Sequence, residues 1–384
     1  MRAPRSILVS AGETSGDFYA AQLVVELRRR WPECEFFGCA GQHLRGAGVR
    51  PVVRTEDLAV LGLVEVLAHI PRIYMRFREL VAAARQAKPD LAILTDAPDF
   101  HFRVAAKLKR LGIPVVYLVA PQVWAWRKGR VKTMRRIIDK LLCIFPFEEQ
   151  FFLQNGVPVA YIGHPLATRV RPSLTRDEFF RKHNLPLDRP LIAMLPGSRQ
   201  SEAMRHLPDL IGAAELLVRD SEASFVLPAS PTCGAAFFAR KVAGSRIQVI
   251  EGEAWDAMAH CDVALAASGT VTVEAALLGA PMVTYYRVTK TSWAIGRWLV
   301  DVPFFSMVNL VAGKRVVPEL IQADMTAERI AAEAARLLHD PRERARMKRD
   351  LAMVADRLTG DGVDAMIRAA SEVQTVVEKH FETN

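Results

Sequence analysis

Two carboxylates, Asp96 and Asp99, flank a proline directly after a short apolar run, LAIL, that ends at Thr95. A carboxylate placed beyond a buried strand can act as a general base. Asp is also a favoured helix N-cap, and the segment DFHFRVAAKLKRL opens at Asp99. Asp99 is therefore expected to cap that helix, which leaves Asp96 as the freer acid and the candidate base. Asp99 is the second candidate for that role. Two further stretches suit an anion. LIAMLPGSR places Gly197, Ser198 and Arg199 after a strand, where Gly197 permits close backbone approach and Arg199 offers a planar fork of donors for a diphosphate. VALAASGT places Ser268, Gly269 and Thr270 at a helix start, with Glu274 one turn inside. Glu274 suits a ribose diol, or it simply compensates a helix dipole. A third loop, Gly12, Glu13, Thr14 and Ser15, joins the first strand to its helix. It lacks the G-x-G-x-x-G pattern of a dinucleotide site. It is either an ordinary tight turn or a point of contact for sugar or phosphate.

The elements that carry these residues alternate between strand and helix. SILVSA, LAILT, PVVYLVA, KLLCIF and VAYIG read as strands in the first half. LIAMLP, SFVLPA, RIQVI, VALAAS and PMVTYY do so in the second. Continuous apolar runs separated by amphipathic helices predict parallel sheets covered on both faces. The expected fold is therefore α/β, with two doubly wound Rossmann-like domains facing a central cleft. Residues 1–170 form the first domain and 171–345 the second. Residues 346–384 form a helical tail that packs back on the first domain or on a partner chain, and a homodimer would use such a tail. The chain has 384 residues, 51% of them apolar, enough for two cores.

The formal charge of +9 is concentrated: between Glu65 and Lys140 there are 16 Lys and Arg against 6 Asp and Glu. The rest of the chain is near neutral, so one region of the first domain is built for an anionic partner. Within it, LGLVEVLAHIPRIYMRFREL brings Val64, Val66, Leu67, Ile70 and Ile73 beside several arginines, and VWAWRKGRVKTMRR adds Trp124 and Trp126. An apolar stripe with flanking basic and Trp residues predicts acyl-chain and bilayer contact rather than nucleic acid. The competing reading is a core helix with a solvated basic face. Five scattered cysteines lack C-x-x-C spacing and read as buried thiols. The histidines show no paired spacing for zinc, and there is no D-x-D motif, so no metal or cofactor is expected.

AGETSGD, DAPDF, PQVWAWR, GHPL, LPGSR, SGTVTVEAALLGAPMV and VNLVAGKRVVPEL occur in an order that resembles the lipid A disaccharide synthases, over nearly the whole chain. The resemblance implies the glycosyltransferase B fold. It implies an inverting transfer of 2,3-diacylglucosamine from UDP-2,3-diacylglucosamine to 2,3-diacylglucosamine 1-phosphate (lipid X), giving a β-1,6 disaccharide and UDP. It implies a cytoplasmic enzyme resting on the inner membrane, and adds Asn309, Gly313 and Lys314 to the donor site. Two positions depart from the family: His101 stands where Asn is common, and Val308 where Pro is common. No role is carried to position 101. A UDP-sugar epimerase of the same fold and a non-catalytic nucleotide-sugar or lipid-binding module are the competing functions. The epimerase would not need a greasy, basic surface, and the binding module would bind UDP without turnover.

Overall fold

The computed structural model describes the backbone of residues 2–58 and 63–383; the side chains of 63–69, 220, 295, 297, 299 and 383 lie outside the description. The chain forms two compact units, Met1–Pro165 with Gly360–Asn384, and Leu166–Thr359. The second unit thus begins a few residues before position 171. The expected tail is divided: the helix Pro341–Thr359 stays with the second unit, and only the helix Ala365–Thr383 returns to the first. There it packs on the helix Thr14–Arg30, where Arg30 donates to Gln374 Oε1 and Ser371 Oγ, both at 2.9 Å. Lys140 pairs with Glu372 at 2.8 Å on the same helix.

The first unit holds β1 (Ser6–Ala11), β2 (Glu35–Ala40), β3 (Arg50–Arg54), β4 (Leu91–Thr95), β5 (Val115–Leu118), β6 (Lys140–Cys143) and β7 (Val159–Tyr161). They pair in parallel in the order β3-β2-β1-β4-β5-β6-β7. The second unit holds β8 (Leu191–Leu195), β9 (Ser224–Ala229), β10 (Ile247–Glu251), β11 (Val263–Ala267), β12 (Met282–Tyr286) and β13 (Glu319–Ile321), in the order β10-β9-β8-β11-β12-β13. β1, β4, β5, β8, β11 and β12 are buried along nearly their whole length, as their unbroken apolar runs require. β2, β3 and β13 are absent from the sequence reading. β3 is an edge strand, RPVVR, with a proline and two exposed arginines, features that blunt an edge and also hide it. Four of the five cysteines are buried free thiols, and Cys233 is half-buried.

Each sheet has one point where the strand order reverses, between β1 and β4 and between β8 and β11. In open α/β sheets, ligands gather at the carboxyl ends of the strands on either side of that point. Register brings the chemistry there. Ala11 pairs with Thr95, so Gly12 and Asp96 leave the sheet side by side. Ala266 pairs with Leu195, so the loops that begin at Pro196 and Ser268 flank the second crevice.

Met347, on the helix Pro341–Thr359, is fully buried, and its Sδ lies 3.3 Å from the backbone nitrogen of Met282. Met347→Ala should cost about 2–5 kcal/mol in urea unfolding. A loss below ~1 kcal/mol would contradict the packing of this helix into the second unit.

Candidate functional site

The first site is the turn after β4. Asp96 and Ala97 both have positive φ, 54° and 36°, and Val119 after β5 has φ 63°. Left-handed backbone costs roughly 1–2 kcal/mol per non-glycine residue, so the surroundings must hold it. The Asp96 carboxylate accepts from the Gly12 N–H at 2.6 Å and the Glu13 N–H at 3.1 Å. Its main-chain carbonyl accepts from the Tyr117 hydroxyl and, at 2.9 Å, from His101 Nδ1. His101 is fully buried, which pushes its pKa down to about 4. The neutral ring donates from Nδ1 to the carbonyl, and Nε2 then accepts from the Ser10 hydroxyl at 2.7 Å. His101 therefore fixes the Asp96 backbone.

Burial pushes the Asp96 carboxyl up to about 8, against the pull of the Gly12 and Glu13 N–H groups; the nearby Glu13 and Asp17 charges add to the rise. Gly16 makes room for it: a Cβ there would stand 1.7 Å from Asp96 Oδ2. Glu13, Thr14 and Ser15 are exposed beside this turn.

Asp99 does not cap the helix. The helix is Pro98–Arg110, Ala97 occupies the cap position, and Asp99 falls inside the first turn. Pro98 fixes that start, because its ring suits the first helical position. The Asp99 carboxylate instead pairs with Arg127 at 3.1 Å and with Arg130. Partial burial would raise its pKa, but the two guanidinium groups hold it below the usual range, so it makes a poor base. Trp124 is also corrected: it is buried, with its indole N–H on Glu148 Oε1 at 3.0 Å, and does not face a bilayer. Burial pushes Glu148 up to about 8, so it is mainly neutral at pH 7 and costs little to enclose.

The second site is a cavity of about 970 Å³ in the second unit. Gly197, Ser198, Arg199, Ser268, Gly269, Thr270 and Glu274 all line it. This volume matches what drug-sized and nucleotide ligands occupy. Arg199 stands at the cap position of the helix Gln200–Ser221 without a side-chain cap bond, so the positive end of that helix lies at the cavity that Arg199 lines. Burial pushes Glu274 up to about 7, opposed by a hydrogen bond from Trp255. Near neutral pH it therefore both accepts from and donates to hydroxyls. The Pro196 carbonyl accepts from His206 Nδ1 at 2.8 Å, and His206 Nε2 accepts from the Arg287 N–H at 3.0 Å. The Tyr285 hydroxyl donates to the Leu195 carbonyl at 3.0 Å. Asp256, nearly fully buried, holds the cavity wall at Ser173 through the backbone N–H at 2.7 Å and the hydroxyl at 2.8 Å.

Asn309, Gly313 and Lys314 do not line this cavity. Asn309 is fully buried; its Oδ1 accepts from the Val316 and Val317 N–H groups at 2.7 and 3.0 Å, and its Nδ2 donates to the Val317 carbonyl and to Glu319. Gly313 closes the helix Met307–Ala312 at φ 69°. Lys314 pairs with Asp350 at 2.8 Å. Each therefore has an internal partner or a helix-end position in the second unit. His101, Tyr117, His206, Tyr285, Trp255 and Asp256 were missed. The signal they offered was a polar ring or acid inside an otherwise apolar segment.

A family model described as lipid-A-disaccharide synthetase matches residues 7–366. A lipid-A-disaccharide synthase of Solibacter usitatus (strain Ellin6076) is 61% identical over 372 residues, 97% of this chain and 97% of the relative. A solved glycosyltransferase of kitacinnamycin is similar in fold, with TM-score 0.66, 16% identity, and 98% and 99% of the two chains covered. So is the UDP-GlcNAc 2-epimerase of Neisseria meningitidis bound to UDP-GlcNAc, with TM-score 0.64, 13% identity, and 96% and 100% covered.

Replacing Asn309 by Ala strips partners from two buried N–H groups, each worth roughly 1–3 kcal/mol when left unsatisfied. The expected outcome is a lower melting temperature with UDP affinity unchanged in the folded protein. A calorimetric loss of UDP binding without a stability loss would return Asn309 to the donor site.

Proposed function

Because the chain belongs to the lipid-A-disaccharide synthetase family, and is thus a glycosyltransferase of lipid A biosynthesis acting on a UDP-sugar and a lipid substrate, we propose how its residues divide that reaction. The assignment is supported by two features that one chain carries: a buried, poorly acidic carboxylate at the switch point of the first unit and an anion-suited cavity at that of the second. UDP-2,3-diacylglucosamine binds in the cavity of the second unit. Arg199, the Ser198 and Thr270 hydroxyls and the N–H groups at the two helix starts hold the diphosphate. Glu274 takes the ribose hydroxyls. Asp96 takes the proton of the acceptor 6-hydroxyl as that oxygen bonds to the sugar C1. The C1–oxygen bond to UDP breaks, inverting the centre, and the diphosphate keeps the electron pair. An epimerase reading is not favoured: it shares the fold, but the relative at 61% identity is a synthase.

Membrane contact rests on the helix Leu63–Ala87. Ile70, Tyr74 and Met75 are more than half exposed, and the Tyr74 ring stacks on Phe77 at 6.1 Å. Ile73 is half-buried, while Val64, Val66 and Leu67 lie outside the described side chains. Arg72 and Arg76 pair with Asp57 at 2.6 and 3.2 Å. Trp126 is 44% exposed, with the Arg127 guanidinium 4.0 Å from its ring. Among the described residues no helix is long and apolar enough to cross a membrane. Contact would therefore be interfacial, on the cytoplasmic face of the inner membrane.

Asp96 must be ionised to act as base, so turnover should rise with pH to a plateau with a midpoint of about 8. Asp96→Asn should lower kcat by roughly 10²–10⁴ and abolish that limb. Disaccharide formation from both acylated sugars is the readout, and a full rate in Asp96→Asn would overturn the assignment. The same shift has a sign for stability. Between 3.8 and about 8 the unfolded chain loses this proton while the folded chain keeps it, so stability falls as pH rises through that window. Asp96→Asn should therefore raise the melting temperature at pH 9.

Replacing Ile70, Tyr74 and Met75 together by Ser should abolish sedimentation with anionic vesicles. Exposed positions change stability by only about 0.5 kcal/mol each, so the unfolding free energy should hold. Vesicle binding equal to that of the parent protein would refute the membrane surface.

A further inference from the structure

The turn that carries Asp96 also carries an ion-pair cluster the reaction has not used. Arg127 Nη1 donates to both Asp99 oxygens, at 3.2 and 3.1 Å, and Arg130 Nη2 donates to Oδ1. Asp99 is 72% exposed, so the cluster faces solvent. Two guanidinium groups share one carboxylate, which leaves a positive charge over. The surplus grows along the segment: residues 127–136, RKGRVKTMRR, hold six basic side chains and no acid.

The arginines' segment has a second anchor in Trp124, through its bond to buried Glu148 and its edge contact with Phe147 at 4.9 Å between centroids, besides the Arg130 guanidinium 5.9 Å from the Phe102 ring. What the pair offers is two planar donor forks, pre-set on an anion. A surface ion pair of this kind is weak and readily exchanged. A phosphate monoester carries about −1.5 to −2 and three acceptor oxygens, a better match for two forks than one carboxylate.

We propose that Arg127 and Arg130 form the binding site for the acceptor's phosphate monoester, with Asp99 occupying the site until that anion displaces it. The proposal rests on the transferase reading, in which the acceptor carries a phosphate at C1 and reacts at its 6-hydroxyl. C1 and C5 both bond to the ring oxygen, so the 1-phosphate and the 6-hydroxymethyl group stand on the same edge of one pyranose ring, close to each other. Asp96 and Asp99 are three residues apart, at most about 11 Å of chain. A phosphate on the arginine pair would thus present the 6-hydroxyl within reach of Asp96.

The test compares 2,3-diacylglucosamine 1-phosphate with its dephosphorylated counterpart as acceptor, in neutral detergent micelles. The parent protein should favour the phosphorylated acceptor. The double variant Arg127→Gln/Arg130→Gln should raise KM for that acceptor by roughly 10- to 100-fold, the worth of one or two charge-assisted bonds. KM for the dephosphorylated acceptor and for the UDP-sugar should not change. Glucosamine 1-phosphate should compete with the acceptor in the parent protein and lose that effect in the variant. Equal losses on both acceptors would reduce the pair to a structural role and overturn the proposal. So would a loss seen only when anionic lipid is added, which would mean the arginines bind a bilayer headgroup. If the parent protein makes no disaccharide from either acceptor, the transferase reading itself falls, and the proposal with it.

Discussion

The Asp96 carboxylate is pulled two ways. Burial drives it toward its neutral form, while the N–H groups of Gly12 and Glu13 favour its charge. Burial wins, and the result is a carboxyl poised near neutral pH rather than one spent at pH 4. Much of the first unit serves this balance. β1 and β4 must be neighbours for the two loops to touch, and Gly16 must lack a side chain. Tyr117 and His101 hold the Asp96 carbonyl so that a left-handed turn can persist. A carboxyl that is both dry and held in a left-handed turn costs stability, and the fully buried strands beneath it supply that stability.

The second unit solves a related problem in the same manner. There too the last carbonyls of a central strand are held from the side, Leu195 by Tyr285 and Pro196 by His206. In both units a tyrosine from another strand and a histidine from the helix after the turn do the holding. The purposes differ. In the first unit the device aims one titrating group. In the second it keeps a loop still beside the cavity that Arg199 lines, where the proposed diphosphate would sit. Preorganised donors of this kind stabilise charge as it develops, without reorganising when it appears.

The strand ends and glycine loops were legible in the sequence, because a buried parallel strand must be apolar throughout and its exit loop must be small or polar. All seven cavity residues named from LPGSR, SGT and Glu274 line the cavity for that reason. Where the reading failed, polar residues had internal uses that spacing does not reveal. Asn309 looks like a ligand-binding amide, yet it ties a turn to its own helix. Trp124 looks like an interfacial tryptophan until Glu148, distant in sequence, takes its N–H. Asp99 looks like a cap, but Pro98 moves the cap two residues earlier, to Ala97, and two arginines from after β5 claim the carboxylate. For Trp124 and Asp99 a long-range partner overrides a local preference, and for Asn309 a turn a few residues on does so.

The central claim is that one aspartate holds its proton near neutrality because the fold dries it. Carbon-13 NMR of the aspartate carboxyls reads this directly, without substrate or turnover. One carboxyl resonance should titrate with a midpoint of about 8 and vanish from the spectrum of Asp96→Asn. If every aspartate instead titrates in the ordinary range near 4, the poised base does not exist and the account fails.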